Sequence, residues 1–377
     1  MTPDYWLTNT PILLFTFFCI VAAIQVFYAL FFFVRLAFYQ RKKTTVSQTH
    51  PVSVIICARD EAENLSQYLP GILMQHYPTS HEVIVVNDNS YDDSKYFLEA
   101  LQKEFKQLRS IELTQEAQLI PGKKFPLAVG IKSAKHEILL LTDADCIPAS
   151  ERWIDAMQST YDDQTDIVLG YSPYFKKNGF LNKLIRWECY HTALQYMSYA
   201  LAGLPYMGVG RNLSYRKAVF FRHKGFATHH HLPGGDDDLF VNMSATKKNT
   251  RIQIDPDSFV PTKPANSWSE WVRQKNRHYS VSRHYRWYHQ VLLGGYSLSQ
   301  FLFYPLLIAS SIAFHPWIPL SVYGGRMLLQ GFIHFRVSRK LNEPDLFPLF
   351  PFFDLWMFLY YLLFLPSLIR KPRPTWK

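Results

Sequence analysis

Apolar and polar positions divide the chain into three parts, and the first is an uncharged apolar run. Residues 5–34 contain no Lys, Arg, Asp or Glu, and thirty helical residues extend about 45 Å, which is enough to cross a bilayer. A cleaved signal peptide is the alternative, but Asp4 precedes the run and the bulky sequence FYALFFFV ends it, which favours a retained anchor. The positive-inside rule places the following end in the cytoplasm, because basic residues come next: Arg35, Arg41, Lys42 and Lys43.

The middle part, residues 50 to about 287, alternates short β-rich runs with stretches of helical spacing. Residues 51–58 (PVSVIICA), 82–88 (EVIVVND) and 136–145 (HEILLLTDAD) read as strands that are buried on both faces. Residues 111–113 suggest a further short strand, and helical patterns lie between these runs. This alternation predicts an α/β fold with a mostly parallel sheet and helices on both faces.

Apolar character returns after the middle part. Residues 287–325 again contain no Lys, Arg, Asp or Glu, and the pattern predicts two spans near 297–314 and 317–335 and a third hydrophobic element near 346–369. Basic residues flank that last element on both sides. It is therefore expected to be either a re-entrant hairpin or a span of the orientation that the positive-inside rule disfavours.

Composition narrows the class of protein. Aromatic residues make up 16% of the chain and charged residues only 19%, which argues against disorder. Four cysteines with no C-x-x-C pair argue against a disulfide scaffold or a structural zinc site. The net charge of +10 fits nucleic acid, a membrane surface or phosphate ligands, but no nucleic-acid recognition motif accompanies it, so we expect no nucleic-acid partner.

Acidic residues follow the predicted strands at the edge where open α/β sheets bind ligands. Asp143 and Asp145 stand two residues apart on an extended segment, on one side of the chain, where they could jointly hold a hard divalent cation. Asp88 closes the second strand and Asp60 ends the first. The alternatives are a surface turn for the first pair and a helix cap for Asp88.

A second acidic group is Asp236, Asp237 and Asp238. Three adjacent carboxylates repel one another, so at least one pKa is expected to be raised, as a general base requires. The alternative is a solvated turn that caps the following helix. The three histidines at 229–231 are expected to lie in a loop rather than to bind metal.

Basic residues occur at two further places. Gly122-Lys123-Lys124 is not a P-loop, and its lysines either reach a diphosphate or lie in a solvated turn. A second group mixes with aromatic residues and fits either an interfacial helix or a phosphate clamp: Arg273, Lys275, Arg277, Arg283 and Arg286.

The order of these motifs is recognisable. VSVIICARDEAENL, VVNDNSYDDS, GKKFPLAVGI, LLLTDADCIP, GGDDDLF and QKNRH together resemble a membrane-anchored family 2 glycosyltransferase of the GT-A fold, over roughly residues 50–290. The resemblance implies transfer of a sugar from a nucleotide-sugar, here expected to be a UDP-sugar, with inversion and with Mg or Mn.

The resemblance also implies roles for single residues on the donor side. Asp60 and Asp88 would contact the nucleotide, with Asp88 reading the uracil. Lys123 would lie near the nucleotide. Asp143 would approach the ribose and the metal, and Asp145 would bind the metal.

On the acceptor side, the E-D-x-D-L motif falls on residues 235–239. The catalytic base would be Asp236, or Asp237 if the register shifts by one. Gln274 and Arg277 match the Q-x-x-R-W motif, which engages the diphosphate and the acceptor. Gly235 replaces the Glu of the first motif, and His278 replaces the Trp of the second, which leaves processivity open.

The resemblance and the hydropathy pattern together predict three regions. Residues 1–45 would be a transmembrane anchor. Residues 46–290 would be a cytoplasmic catalytic domain with an interfacial helix near 268–288, and residues 291–377 a transmembrane or re-entrant region with a basic tail. We expect an integral protein of the plasma (inner) membrane that acts on a lipid, lipid-linked or polysaccharide acceptor. A nucleotidyltransferase and an inactive membrane partner of a polysaccharide complex are the alternatives, whereas a transporter would need more spans.

Overall fold

The computed structural model describes residues 3–40, 49–114 and 122–364, with the side chains of all of these except residues 3–9 and 277–280. The described chain divides into two compact units. The helical unit comprises the residues up to Tyr39 together with those from Arg286 onward, and the sheet unit runs from Gln40 to Tyr285.

The sheet unit is built on seven described strands, in the order β3-β2-β1-β4-β6-β5-β7. Strands β1 to β4 run parallel, β6 runs antiparallel to both β4 and β5, and β5 pairs in parallel with β7. The strands are β1 (Val52–Ala58), β2 (His81–Asp88), β3 (Leu108–Leu113), β4 (Ile138–Asp143), β5 (Ile167–Leu169), β6 (Leu213–Arg216) and β7 (Thr250–Ile252). The predicted α/β fold with a mostly parallel sheet is thus confirmed, although β3 begins three residues before the predicted run.

Helices cover the sheet and form the helical unit. In chain order they are α1 (Pro3–Tyr28), α2 (Val34–Phe38), α3 (Ala62–Leu73), α4 (Ser94–Glu104), α5 (Lys124–Ser133), α6 (Trp153–Gln158), α7 (Phe180–Leu201), α8 (Lys217–Arg222), α9 (Asp238–Ser244), α10 (Trp268–Ser282), α11 (Trp287–Ala313), α12 (Trp317–Lys340) and α13 (Phe350–Phe364). A π-helical turn, Ala29–Phe33, joins α1 to α2. The interfacial helix was predicted near 268–288. In the structure this range contains α10, which ends at Ser282, and the start of α11 at Trp287.

The central strands lie in the core, as their continuous apolar runs predict. Every residue of β1 is buried, and Leu65, Leu69 and Ile72 of α3 pack in the same apolar cluster. On the other face, α5 approaches β1 so closely that a Cβ on Gly130 would lie 2.7 Å from a methyl of Ile55. This packing fixes the carboxyl ends of the central strands in one register.

Within the described residues, three segments of the helical unit are long and apolar enough to cross a membrane: Thr10–Phe38, Trp287–Ala313 and Pro344–Phe364. The first two correspond to predicted spans, although the second begins ten residues early. The span predicted near 317–335 is not among the three, because α12 carries Arg326 in its middle and a basic end. In the last segment a 3-10 turn, Pro344–Leu349, leads into α13 without turning back before Phe364; residues 365–369 lie outside the described chain.

A buried ionic network joins four helices of the helical unit. The guanidinium of Arg326 on α12 donates to both carboxylate oxygens of Asp354 on α13, at 2.6 and 2.8 Å, and to Gln300 Oε1 on α11 at 3.1 Å. It also donates to Gln25 Oε1 on α1, and Tyr304 donates to Asp354. The exposed fractions of the Arg326 and Asp354 side chains are only 1% and 3%, so the charge of Arg326 is neutralised inside an apolar bundle.

Candidate active site

The ends of β1, β2 and β4 meet at one edge of the sheet. Cys57 of β1 pairs with Val86 of β2 and with Asp143 of β4, so Asp88 and Asp143, the last residues of their strands, lie at this edge. Asp60 was predicted to end β1, but the strand ends at Ala58 and Asp60 lies in the following turn, with a φ of 53°.

Hydrogen bonds tie the turns after β1 and β2 to each other. The N–H of Tyr91 donates to Asp60 Oδ1 at 2.7 Å, and the N–H of Asp60 donates to Ser90 Oγ at 2.9 Å. Asp88 is buried, with Arg59 Nη1 at 3.9 Å from its carboxylate. The two acids predicted to contact the nucleotide therefore stand on neighbouring, mutually braced turns.

Asp143 and Asp145 form the acid pair of this edge. Together with Cys146 they are the described residues whose ligand atoms all lie within 4.8 Å of one another. Burial, and then Asp143, raise the pKa of Asp145, while Thr262 Oγ1 donates to Asp145 Oδ2 at 3.1 Å. Burial and the two acids also raise the pKa of the Cys146 thiol well above its usual range. The thiol thus stays protonated, and the two carboxylates are the groups that fit a hard divalent cation.

Lys123 lies directly against the acid pair. Its ammonium forms an ion pair with Asp143, and its side chain is only 14% exposed, so the alternative of a solvated turn is wrong for this lysine. Burial alone would lower the pKa of Lys123, but Asp143, with Cys57 and Asp236, raises it above its usual range. Lys123 therefore keeps its positive charge beside Asp143.

The Lys124 side chain points away from the acid pair that Lys123 contacts. It is buried, and its Nζ donates to the carbonyl oxygens of Leu232 and Gly234. Gly122 packs on the same loop so tightly that a Cβ there would lie 2.3 Å from Pro233 O, and its φ is 77°. The 122–124 turn thus connects the acid pair, through Lys123, to the loop that precedes the acidic triplet, through Lys124.

The three acids at 236–238 differ in their hydrogen bonding. Asp237 caps α9 and accepts the N–H groups of Gly210, at 2.8 Å, and Asp238, at 2.7 Å. Asp238 accepts the N–H of Leu239 at 2.7 Å and the hydroxyl of Tyr285 at 2.9 Å. The carboxylate of Asp236 accepts no hydrogen bond from any described residue. Asp236 is therefore the acid of the three that remains available to accept a proton.

Two pKa values of this triplet are raised, as the expected repulsion among its carboxylates predicts. Burial, followed by the charges of Asp236 and Asp238, raises the pKa of Asp237 to about 8. Burial also raises the pKa of Asp238 to about 6, against the lowering effect of the Tyr285 and Leu239 hydrogen bonds. The prediction that at least one pKa is raised is confirmed, and the capping alternative also holds for Asp237.

The histidines at 229–231 lie in a 3-10 turn and the residues after it. His229 is buried, and burial together with Lys124 lowers its pKa to about 4. Within the residues that the structure describes, these histidines belong to no group that could hold a metal ion. These three histidines lie in a loop, as the sequence predicted.

The predicted Q-x-x-R residues lie on α10. Gln274 Oε1 is buried, without a hydrogen-bond partner among the described residues. The neighbouring Lys275 forms a buried ion pair with Glu188 on α7, which connects α10 to α7 within the sheet unit. The Arg277 side chain lies outside the described side chains.

Comparison with known proteins gives the family of the sheet unit. The model of the family described as "Glycosyltransferase like family 2" matches residues 50–280, well over half of the chain. Among solved structures, the mannosyltransferase PcManGT from Pyrobaculum calidifontis, in complex with GDP-Man and Mn2+, superposes with a TM-score of 0.57 over 92% of this chain and 98% of that one. At 17% identity this likeness shows the fold alone, and it agrees with the predicted GT-A architecture.

Curated relatives match shorter segments. Glycosyltransferase AglE of Haloferax volcanii is 32% identical over 130 residues, which are 34% of this chain and 41% of AglE. The poly(ribitol-phosphate) beta-glucosyltransferase of Bacillus spizizenii is 29% identical over 32% of this chain and 18% of its own length. The beta-monoglucosyldiacylglycerol synthase of Nostoc is 30% identical over a segment that covers 26% of this chain and 21% of that synthase. The chain thus spans less than half the length of the curated relatives that it matches.

Proposed function

The chain belongs to glycosyltransferase-like family 2, and from that premise we propose that it moves a sugar from a nucleotide-sugar to a hydroxyl of a lipid, lipid-linked or polysaccharide acceptor at a membrane. The observation that carries the proposal is the pairing of two acidic groups with different chemistry. The ligand atoms of Asp143 and Asp145 lie within 4.8 Å of one another at the sheet edge, close enough to share a cation, and the carboxylate of Asp236 accepts no hydrogen bond from any described residue.

The donor side is assigned to the sheet edge. We assign the nucleotide to Asp60 and Asp88, with Lys123 nearby, and the diphosphate and the acceptor to Gln274 and Arg277, whose motif implies that role. The GDP-Man and Mn2+ bound in PcManGT support a nucleotide-sugar and a divalent cation as a class; we propose a UDP-sugar, with a GDP-sugar as the second donor to test.

The cation is Mg or Mn, held by Asp143 and Asp145. When bound, it neutralises charge on the departing nucleoside diphosphate. Lys123 keeps its own positive charge beside this pair, and thereby adds to the stabilisation of the same leaving group.

The acceptor is activated by Asp236. Its carboxylate removes the proton of the acceptor hydroxyl, whose oxygen attacks the anomeric carbon on the face opposite the leaving diphosphate, so the configuration inverts. Asp237 is the alternative base, but its two carboxylate oxygens already accept backbone N–H groups. This difference in hydrogen bonding favours Asp236.

The chain is proposed to work as an integral protein of the plasma (inner) membrane, with residues 46–290 as a cytoplasmic catalytic domain between the membrane regions 1–45 and 291–377. The three apolar segments of membrane-spanning length support this arrangement. The names of two relatives, a beta-monoglucosyldiacylglycerol synthase and a poly(ribitol-phosphate) beta-glucosyltransferase, support a lipid or polymer acceptor.

A donor screen tests the function. Membranes that contain the full-length chain are incubated with Mn2+ and radiolabelled UDP- or GDP-sugars, and release of nucleoside diphosphate and labelling of lipid and polymer fractions are measured. We expect one donor to give both signals, and membranes with Asp145→Ala to give neither. Release of pyrophosphate would instead indicate a nucleotidyltransferase, and no release with any donor would indicate an inactive partner.

A further inference from the structure

Arg211 carries a charge that the account above does not use. It lies in a short 3-10 segment, Gly210–Asn212, directly before β6, and its side chain is half-buried. Its guanidinium lies over the ring of Tyr174, 4.8 Å from the centroid. Among the described residues it makes no hydrogen bond or ion pair, although a guanidinium has five N–H donors.

The position of Arg211 is fixed from two sides. On one side, the preceding N–H, of Gly210, donates to Asp237 in the acidic triplet. On the other side, Thr262 forms bridges with both Tyr174 and Cys146 and donates to Asp145. Arg211 therefore stands between the acid pair and the acidic triplet.

Three other cations of the sheet unit have acidic partners. Lys123 has Asp143, Lys275 has Glu188, and Arg216 has Asp166 with a cation–π contact of its own to Tyr161. The N–H donors of Arg211 are used by no described residue, so they are open to a ligand that supplies the acceptor.

We propose that Arg211 binds a phosphate group of the substrate, an inference that rests on the proposed function and names a further ligand group of the same site. The planar fork of a guanidinium matches phosphate oxygens in pairs, and stacking on Tyr174 holds the plane of the fork in advance. The phosphate is either part of the donor diphosphate or a phosphate monoester on the acceptor.

The test measures binding of four probes to the purified full-length chain in detergent with Mn2+, by calorimetry: UDP, GDP, inorganic pyrophosphate and glycerol 3-phosphate. Arg211→Met removes the charge at similar volume, and Arg211→Lys keeps the charge but loses the fork. Arg222→Met is the matched control, because Arg222 is an exposed arginine on α8 that pairs with Asp166. Thermal unfolding is measured for each variant.

We expect Arg211→Met to weaken binding of at least one phosphate probe by about tenfold or more, with Arg211→Lys in between and Arg222→Met unchanged. If Arg211→Met loses affinity for pyrophosphate and a nucleoside diphosphate, Arg211 binds the phosphate of the donor. If it loses affinity for glycerol 3-phosphate alone, Arg211 binds the phosphate of the acceptor. If Arg211→Met and Arg211→Lys bind all four probes like the wild type, the proposal is wrong. A wild type that binds pyrophosphate but neither nucleotide would contradict the proposed donor instead, and the pyrophosphate and glycerol 3-phosphate titrations would still decide the role of Arg211.

Discussion

Two arginines, a buried one in the helical unit and a half-buried one in the sheet unit, differ in their partners. Arg326 in the helical unit has Asp354, Gln300 and Gln25 as partners, whereas Arg211 in the sheet unit has the face of Tyr174 and no acceptor among the described residues. Both charges are costly to remove from water. A network whose members are all satisfied rigidifies a core, so we interpret the helical unit's network as architecture and the sheet unit's open groups as the site of chemistry.

The same contrast recurs inside the acidic triplet. Asp237 and Asp238 use their carboxylates to hold Gly210, Leu239 and Tyr285, whereas Asp236 accepts nothing from the described chain. Three identical neighbours thus divide into two that position the segment and one that can react. We propose that the unpaired carboxylate marks the reacting acid of this triplet.

The largest effect on stability is expected from breaking the Arg326–Asp354 pair. Arg326→Leu leaves Asp354 buried without its cation, which costs about 3–5 kcal/mol in the free energy of unfolding. The double change Arg326→Leu with Asp354→Leu removes both charges and should recover most of that loss. Thermal unfolding of the purified chain in detergent measures this, and a single variant as stable as the wild type would show that the pair does not hold the helices together.

A smaller effect, confined to turnover, is expected at Lys124. Lys124→Met frees the carbonyls of Leu232 and Gly234, so the loop before the triplet shifts, and displacement of reacting groups by about 1 Å can cost about 100-fold in rate. We expect kcat to fall by about 10- to 100-fold while the donor KM stays within about twofold. Lys132→Met, at an exposed position on α5, is the control. An unchanged kcat in Lys124→Met would show that the contacts of Lys124 do not position the reacting groups.

The smallest expected effect is a change in how stability depends on pH. Since the pKa of Asp237 is raised to about 8 in the folded chain, folding favours its protonated form. That contribution to the free energy of unfolding is complete below the unfolded pKa of about 4 and is lost as pH rises through about 8. We expect the thermal midpoint to fall with rising pH more steeply in the wild type than in Asp237→Asn. Parallel curves for the two proteins would contradict this.

The sequence predicted those parts of the fold that leave a continuous pattern. Strands β1, β2 and β4 are apolar runs of six to eight residues, and the strand-edge acids followed from them. Strands β5 and β7 have three residues each, which are too few to show a recognisable pattern of apolar and polar positions. The sequence predicted a span near 317–335, but α12, which carries Arg326 among its apolar residues, is not among the candidate spans of the described chain.

The contacts that organise the site could not be predicted from sequence. Thr262 bonds to Asp145 across 117 residues, and Lys124 bonds to Leu232 across 108. The motif placed three adjacent acids correctly at 236–238, but identical residues give no signal of which carboxylate the backbone will occupy. That difference arises only when the 210–212 segment and Tyr285 fold onto the triplet.

The most direct test of the account compares Asp236→Asn with Asp237→Asn in the full-length chain, once the donor screen has given a substrate. Sugar transfer and donor affinity are measured for both variants. We predict that Asp236→Asn lowers transfer by about 100-fold or more while donor affinity stays within about twofold, and that Asp237→Asn retains the greater part of the activity. If both variants transfer sugar at the wild-type rate, the unpaired carboxylate is not the base and the central claim fails.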